Sequence, residues 1–332
     1  SLIAARIVVG VGEASYVSLA PTIIDDLTPP DRKGKALAVF YMAQPLGAAL
    51  GYVLGGWIAK QWGWSSVFYF TGGPGVVLAL SCLLIAEPPR KLLDAKTRLL
   101  DGMRELAAIP LFRRAVLGYA AYAAAVGAFS HWGPKVLLER YSDLDVATAS
   151  GRFGGVLIVA GVISTLVGGW WADRAIRGQP AATPGAPYDA PAHRAAVNAL
   201  LRICALGMVL AAPLAALCFF MPTSIAFFAV AFVVDLGLFL SASPLNTAIL
   251  RAVPVERRAS AIAASTFAIH LFGDLWSPTA LGLLKDALNV TIAMMTIPLT
   301  FAWSAYLWWP RRREAAGPGP GSVPEARVHT ET

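Results

Sequence analysis

The chain has 332 residues, 57% of them hydrophobic and only 14% charged, with a mean hydropathy of +0.60. That balance excludes a soluble globular protein of this size and calls for an all-α, polytopic membrane protein. The formal charge of +7 comes from basic residues grouped between apolar segments, not along one face, which excludes a nucleic-acid partner.

Apolar runs near the ~20 residues that cross a bilayer fall at 1–25, 34–59, 64–86, 112–138, 151–172, 196–220, 223–249, 259–285 and 288–309. Nine transmembrane helices are therefore expected. The pair 196–220 and 223–249 depends on Pro222 and Thr223 dividing one long apolar stretch. The first run contains RIVVGVGEASYVSLAPTIIDD from Arg6, with Arg6 and Glu13 about two helical turns apart on one face. A charge at bilayer depth costs about 2.5–3.5 kcal/mol, so such residues face a bundle interior or a wet cavity and mark a path for substrate or ions. The alternative is a buried Arg–Glu pair that only locks two helices.

Twenty-one of the 27 Lys and Arg residues lie in alternate connections and their flanks, among them Arg32, Lys33 and Lys35, the run from Arg90 to Arg114, Arg174 and Arg177, Arg257 and Arg258, and Arg311 to Arg313. Five lie on the other side: Lys60, Lys135, Arg140, Arg152 and Lys285. The richer side is expected to be cytoplasmic. That puts the carboxyl terminus in the cytoplasm and residue 1 outside. Because Ser1 already stands inside an apolar run, an amino-terminal truncation is expected. Residues 88–111 form a charged connector in which LLDAKTRLLDGMRELAAI reads as an amphipathic surface helix or a solvated linker. Residues 178–193 are rich in Pro, Ala and Gly, and 310–332 read as a disordered cytoplasmic tail. Cys82, Cys204 and Cys218 lie in apolar runs without ligand-like spacing. No disulfide, metal or cofactor is expected.

A weak repeat links the first connection, where Pro21 precedes PDRKGKALAVF, to a later one, where Pro244 precedes PVERRASAIAA. Parallel repeats are the mark of transporters built from two similar bundles with a site between them at the midplane. A six-helix repeat divides the chain into a partial first bundle (1–87), the connector (88–111), a complete second bundle (112–309) and the tail (310–332). Three helices would then be missing.

These residues resemble the major facilitator superfamily, a twelve-helix fold of two six-helix bundles. RIVVGVGEASY is similar to its fourth-helix motif and PLGAALGYVLGG (45–56) to its glycine-rich fifth helix. GGWWADRAIRG (168–178) is similar to its Gly-x-x-x-Asp-Arg-x-x-Arg gating loop, here Gly169, Asp173, Arg174 and Arg177, whose Asp173 and Arg174 would hold a gate between the halves by charge pairing with helix ends. Within the superfamily the chain most resembles the spinster-like transporters, which include sphingosine-1-phosphate and lysophospholipid carriers. The stretches that carry this likeness are GEASYVSLAPTIIDDL, GAFSHWGPKVLLERY (127–141) and IHLFGDLWSP (269–278).

Arg6 offers a planar fork for phosphate or carboxylate. Glu13 can take up a proton when desolvated. His270 and Asp274 share a helix face and can hydrogen-bond, and Asp235 is a third carboxylate within an apolar run; it serves either a pathway or an interhelical contact. Tyr16, Tyr41, Gln44, Phe129, Trp132, Asn246 and Ser277 are candidate cavity lining. The expected function is a secondary transporter in a bacterial inner membrane that moves an amphipathic organic anion, a lysolipid or sphingolipid, by alternating access with protons as coupling ion. Its partners are the bilayer, the substrate and protons, and it acts as a monomer. The alternatives are a multidrug or small-metabolite exporter of the same fold and a non-transporting membrane scaffold. No nucleophile turn, zinc-ligand spacing or phosphate-binding Gly-Lys motif is present, so neither an enzyme nor an ATP-driven pump is expected.

Overall fold

The computed structural model describes residues 33–84, 99–177, 191–254 and 257–310, with seven isolated positions (9, 12, 16, 20, 23, 24 and 27) in the first thirty-two. All regular structure among the described residues is helical. In chain order the helices are α1 (Lys33–Trp62), α2 (Trp64–Ser81), α3 (Leu99–Ala108), α4 (Pro110–Arg140), α5 (Val146–Arg177), α6 (Pro191–Cys218), α7 (Ser224–Leu240), α8 (Ala242–Arg251), α9 (Arg258–Ile269), α10 (Ser277–Ala287), α11 (Val290–Met294) and α12 (Thr296–Trp308). A π-helical turn, His270–Asp274, joins α9 to α10.

Five helical stretches among the described residues are long and apolar enough to cross a membrane: Trp64–Leu84, Val146–Arg177, His193–Cys218, Ser224–Arg251 and Val290–Trp308. The expected spans 34–59, 112–138 and 259–285 coincide with α1, α4 and α9 to α10. Span 1–25 lies almost wholly outside the described residues, as do the linker 178–190 and the tail from 311.

Breaks fall where the local chemistry puts them. Thr223 caps α7 by accepting the Ala226 N–H at 3.3 Å, so the Pro222–Thr223 division holds. Asn289 caps α11, accepting from the Thr291 and Ile292 N–H groups at 2.7 and 3.1 Å. The connector is helical over Leu99–Ala108, and Pro110 starts α4 at a position where its missing N–H costs nothing. Glu105 on this connector helix pairs with Arg257, just before α9, and Leu106 is buried. Among the described residues of the connector, Glu105 supplies a charge contact and Leu106, Ile109 and Leu111 pack against the core. The expected loop motif around Asp173 is instead the last two turns of α5, because the helix continues to Arg177.

Helices approach most closely where side chains vanish. A Cβ on Gly237 would stand 2.6 Å from the Gly207 carbonyl oxygen, so α6 and α7 touch backbone to backbone, a small-residue contact typical of membrane helices. Next to it, the Ser164 hydroxyl of α5 donates to the Leu236 carbonyl of α7. Gly154 of α5 meets Ala49 and Val53 of α1, and Gly56 of α1 meets Ser150 of α5. At the other end of the bundle Trp308 Nε1–H of α12 donates to the Ala115 carbonyl at 3.0 Å, and the Ser304 hydroxyl to the Gly118 carbonyl at 2.8 Å. Arg114, counted in the sequence among connection charges, is buried and donates to Asn198 Oδ1 on α6.

The end of the bundle poor in Lys and Arg is tied by charges. Lys60 Nζ lies 3.4 Å from Asp145 Oδ2, while Arg152 Nη1 donates to Ser224 Oγ at 2.7 Å and sits 3.7 Å from Asp143 Oδ2. Asp145 Oδ1 accepts the Thr148 N–H at 2.7 Å; the Thr148 hydrogen bonds, then Lys60, hold its carboxyl down at about 2 against an ordinary 3.8. A lowered native value stabilises the fold above the unfolded value, and the stabilisation is lost as pH falls through the native one. Melting temperatures of the wild type and Asp145→Asn should therefore differ above about pH 4 and converge as the pH approaches 2.

Candidate functional site

His270, Asp274 and Ser277 of the second bundle lie on and beside the π turn. Pro278 lacks an N–H and crowds the carbonyl of Asp274 four residues earlier, so the helix cannot run through unaltered. It widens instead, and Leu275 N–H bonds to the His270 carbonyl at 3.1 Å in the five-residue pattern. Gly273 permits this turn to lie on α4: a Cβ there would stand 2.9 Å from the Ala120 carbonyl oxygen and from the Ala123 Cβ.

On this turn His270 Nδ1 lies 3.1 and 3.0 Å from the two Asp274 oxygens. Both side chains stay partly open, at 48% and 37% exposure. Ser277, one turn on, is buried, and its Oγ has no hydrogen-bond partner among the described residues. Gly127 of α4 faces them, because a Cβ there would meet Asp274 Cβ at 2.6 Å and Ser277 Oγ at 3.4 Å. Trp132 Nε1–H of α4 donates to the Pro278 carbonyl at 2.8 Å. His270, Asp274, Ser277 and Trp132 are thus one site, built where α4 presses a glycine against a widened helix. Trp132→Phe removes that bond and should cost about 1 kcal/mol of stability, read as a lower midpoint in denaturant with slope unchanged.

Other expected residues lie apart from it. Phe129 packs into an aromatic seam, its ring 5.8 Å from Phe153 and 6.5 Å from Phe219. Its side chain is half-buried there. Asn246 is half-buried and donates from Nδ2 to the Ala242 carbonyl of its own helix at 2.9 Å. Asp235 is half-buried on α7, within electrostatic reach of Tyr52 and Tyr122. Tyr16 is exposed, with its ring 5.6 Å from Phe40. Arg6 and Glu13 lie outside the described residues, and so do the side chains of Tyr41 and Gln44 on α1.

At the Lys- and Arg-rich end, Gly169 lies near Ser243 of α8. Asp173 comes within electrostatic reach of Arg251 at the end of α8. Arg174 stands over Trp170 at 5.9 Å, and Arg177 Nε donates to the Asp173 carbonyl at 3.4 Å. Asp173, Arg174 and Arg177 are exposed, where a single ion pair contributes little.

Two structural features beside the candidate site escaped the sequence. Tyr52 of α1 stacks on Phe153 at 5.8 Å and sends its hydroxyl to the Ser130 carbonyl at 3.5 Å, joining three helices beside the site. Gly127 gave only the weak signal of a glycine in an alanine-rich helix.

The family model described as Major Facilitator Superfamily matches residues 1–278. The chain is 31% identical over 331 residues to "Probable sphingolipid transporter spinster homolog 2" of Arabidopsis thaliana, covering 92% of this chain and 64% of the relative. It is 30% identical over 311 residues to "Protein spinster homolog 1" of Xenopus tropicalis, covering 86% of this chain and 55% of the relative. The chain thus spans less than two thirds of the length of these relatives. Among solved structures it resembles a bacterial homologue of the human lysosomal transporter spinster, in an inward-facing and occupied conformation, with a TM-score of 0.61, 19% identity, and coverage of 87% of this chain and 72% of that one. That likeness shows the fold alone. The Arabidopsis relative is named as a probable sphingolipid transporter. With its helices, glycine seams and matched motifs, the chain is an integral membrane protein of the major facilitator superfamily, and the relatives it matches there are spinster homologues.

Proposed function

We propose that the protein is a secondary transporter of an amphipathic organic anion, a lysolipid or sphingolipid, working by alternating access and coupled to protons. The observation that carries the reading is the His270–Asp274 pair: a hydrogen-bonded, half-open imidazole and carboxylate on the π turn of an otherwise apolar helix. Ionisable groups at that depth are costly and mark ion or substrate paths. With His270 protonated the pair is a neutral zwitterion, and loss of the proton leaves one negative charge; transport of an anion past it would then depend on whether the proton is present. π turns recur at functional sites because they re-aim side chains. The sphingolipid named for the Arabidopsis relatives supports an amphipathic substrate, and Arg6 would meet its anionic group from the first helix. We place the protein in a bacterial inner membrane, as a monomer, with its Lys- and Arg-rich face and carboxyl terminus in the cytoplasm.

Proteoliposomes of the protein, supplied with a lysophospholipid panel with and without a pH gradient, test this. Gradient-dependent flux that is lost in Glu13→Gln is expected. Gradient-independent flux unchanged by Glu13→Gln would overturn the proton coupling, and the absence of flux for every lipid would overturn the substrate class.

A further inference from the structure

Five basic residues lie at the sparse end of the bundle, and three are tied to partners on other segments: Lys60 to Asp145, Arg152 to Asp143 and Ser224, and Arg140 to the Phe219 and Met221 carbonyls. The other two converge on one ring. Lys135 Nζ of α4 lies 5.5 Å from the Trp132 ring centroid, and Lys285 Nζ of α10 lies 5.1 Å from it. The indole is fixed, its N–H held by the Pro278 carbonyl and its face pressed by Gly282 of α10. Lys285 has Asp286 at 3.4 Å, but that carboxylate is 73% exposed. Lys135 has no carboxylate within ion-pair distance among the described residues, Glu139 one turn on included.

We propose that Lys135, Lys285 and Trp132 form a binding site for the phosphate of an anionic lipid at headgroup depth. Two ammonium groups drawn to one ring repel each other, and an anion between them removes that repulsion. The indole supplies an amphipathic wall at the bilayer boundary, where tryptophan is favoured. The phosphate belongs either to a bilayer phospholipid or to a transported lysolipid on its way in. The site shares Trp132 with the His270–Asp274 cluster, but its test reads lipid binding without a pH gradient.

The test is binding of short-chain phosphatidylglycerol and phosphatidylcholine to the purified protein in detergent, for wild type, Lys135→Gln/Lys285→Gln and Lys135→Arg/Lys285→Arg. Each basic residue near anionic lipid contributes about 1 kcal/mol, so the Gln pair should weaken phosphatidylglycerol binding at least about tenfold. Phosphatidylcholine binding should be unchanged, which also shows that the variant is folded, and the Arg pair should restore affinity. Equal binding of both lipids by the wild type, or full affinity in the Gln pair, would overturn the site. Competition by lysophosphatidylglycerol with a raised transport KM in the Gln pair assigns the phosphate to substrate; an unchanged KM with loss of thermal stabilisation by phosphatidylglycerol assigns it to the bilayer.

Discussion

Asp274→Asn is expected to lower gradient-driven uptake by about 10- to 100-fold while leaving substrate exchange in the absence of a gradient close to wild type. Asparagine keeps the volume of Asp274 and can still accept from His270 Nδ1–H, which now lies 3.0 and 3.1 Å from the two carboxylate oxygens. What it loses is the carboxylate charge that faces the imidazole. A hydrogen bond to a charged group contributes about 1.5–3 kcal/mol, and each 1.36 kcal/mol is a factor of ten. The separation of driven uptake from exchange is the informative readout. A residue that only packed α9 and α10 onto α4 would depress both together.

Gly237→Val is expected to lower the melting temperature in detergent by about 5–10 °C. The new Cβ would stand 2.6 Å from the Gly207 carbonyl oxygen and 3.2 Å from Ala211 Cβ. Backbone cannot yield as a flexible side chain does, so α6 and α7 must part. Overpacking of this kind costs about 1–3 kcal/mol, and about 2–4 °C accompanies each kcal/mol in a domain of 150–250 residues. Gly155→Ala is the control. Nothing lies within 4 Å of a Cβ there, and replacing a helical glycine that has room should be neutral or slightly stabilising.

The helices were legible because a bilayer imposes a length and an apolarity that no loop satisfies. Pro222 and Thr223 marked a true break, and the charged connector did hold a helix. Other features needed three dimensions. The spacing of His270 and Asp274 announced their hydrogen bond, but not the π turn, although Pro278 four residues past Asp274 was its signal. Phe129 was legible as an aromatic on a membrane helix, but its ring neighbours Phe153 and Phe219 lie on other parts of the chain. Arg114 counted as a topology marker because basic residues near helix ends usually snorkel; its burial depends on Asn198, a partner 84 residues away. The joining of Trp132 to Pro278 and Lys285 spans an even longer separation, and no local pattern encodes it.

The central claim, that this protein is a proton-coupled carrier of amphipathic anions, is tested most directly by lysophospholipid uptake into proteoliposomes of the protein, sealed or permeabilised, with an imposed pH gradient and after its collapse. Saturable uptake that requires a sealed membrane and falls when the gradient is collapsed is the predicted result. Lipid association that is equal in sealed and permeabilised vesicles and indifferent to the gradient would contradict it.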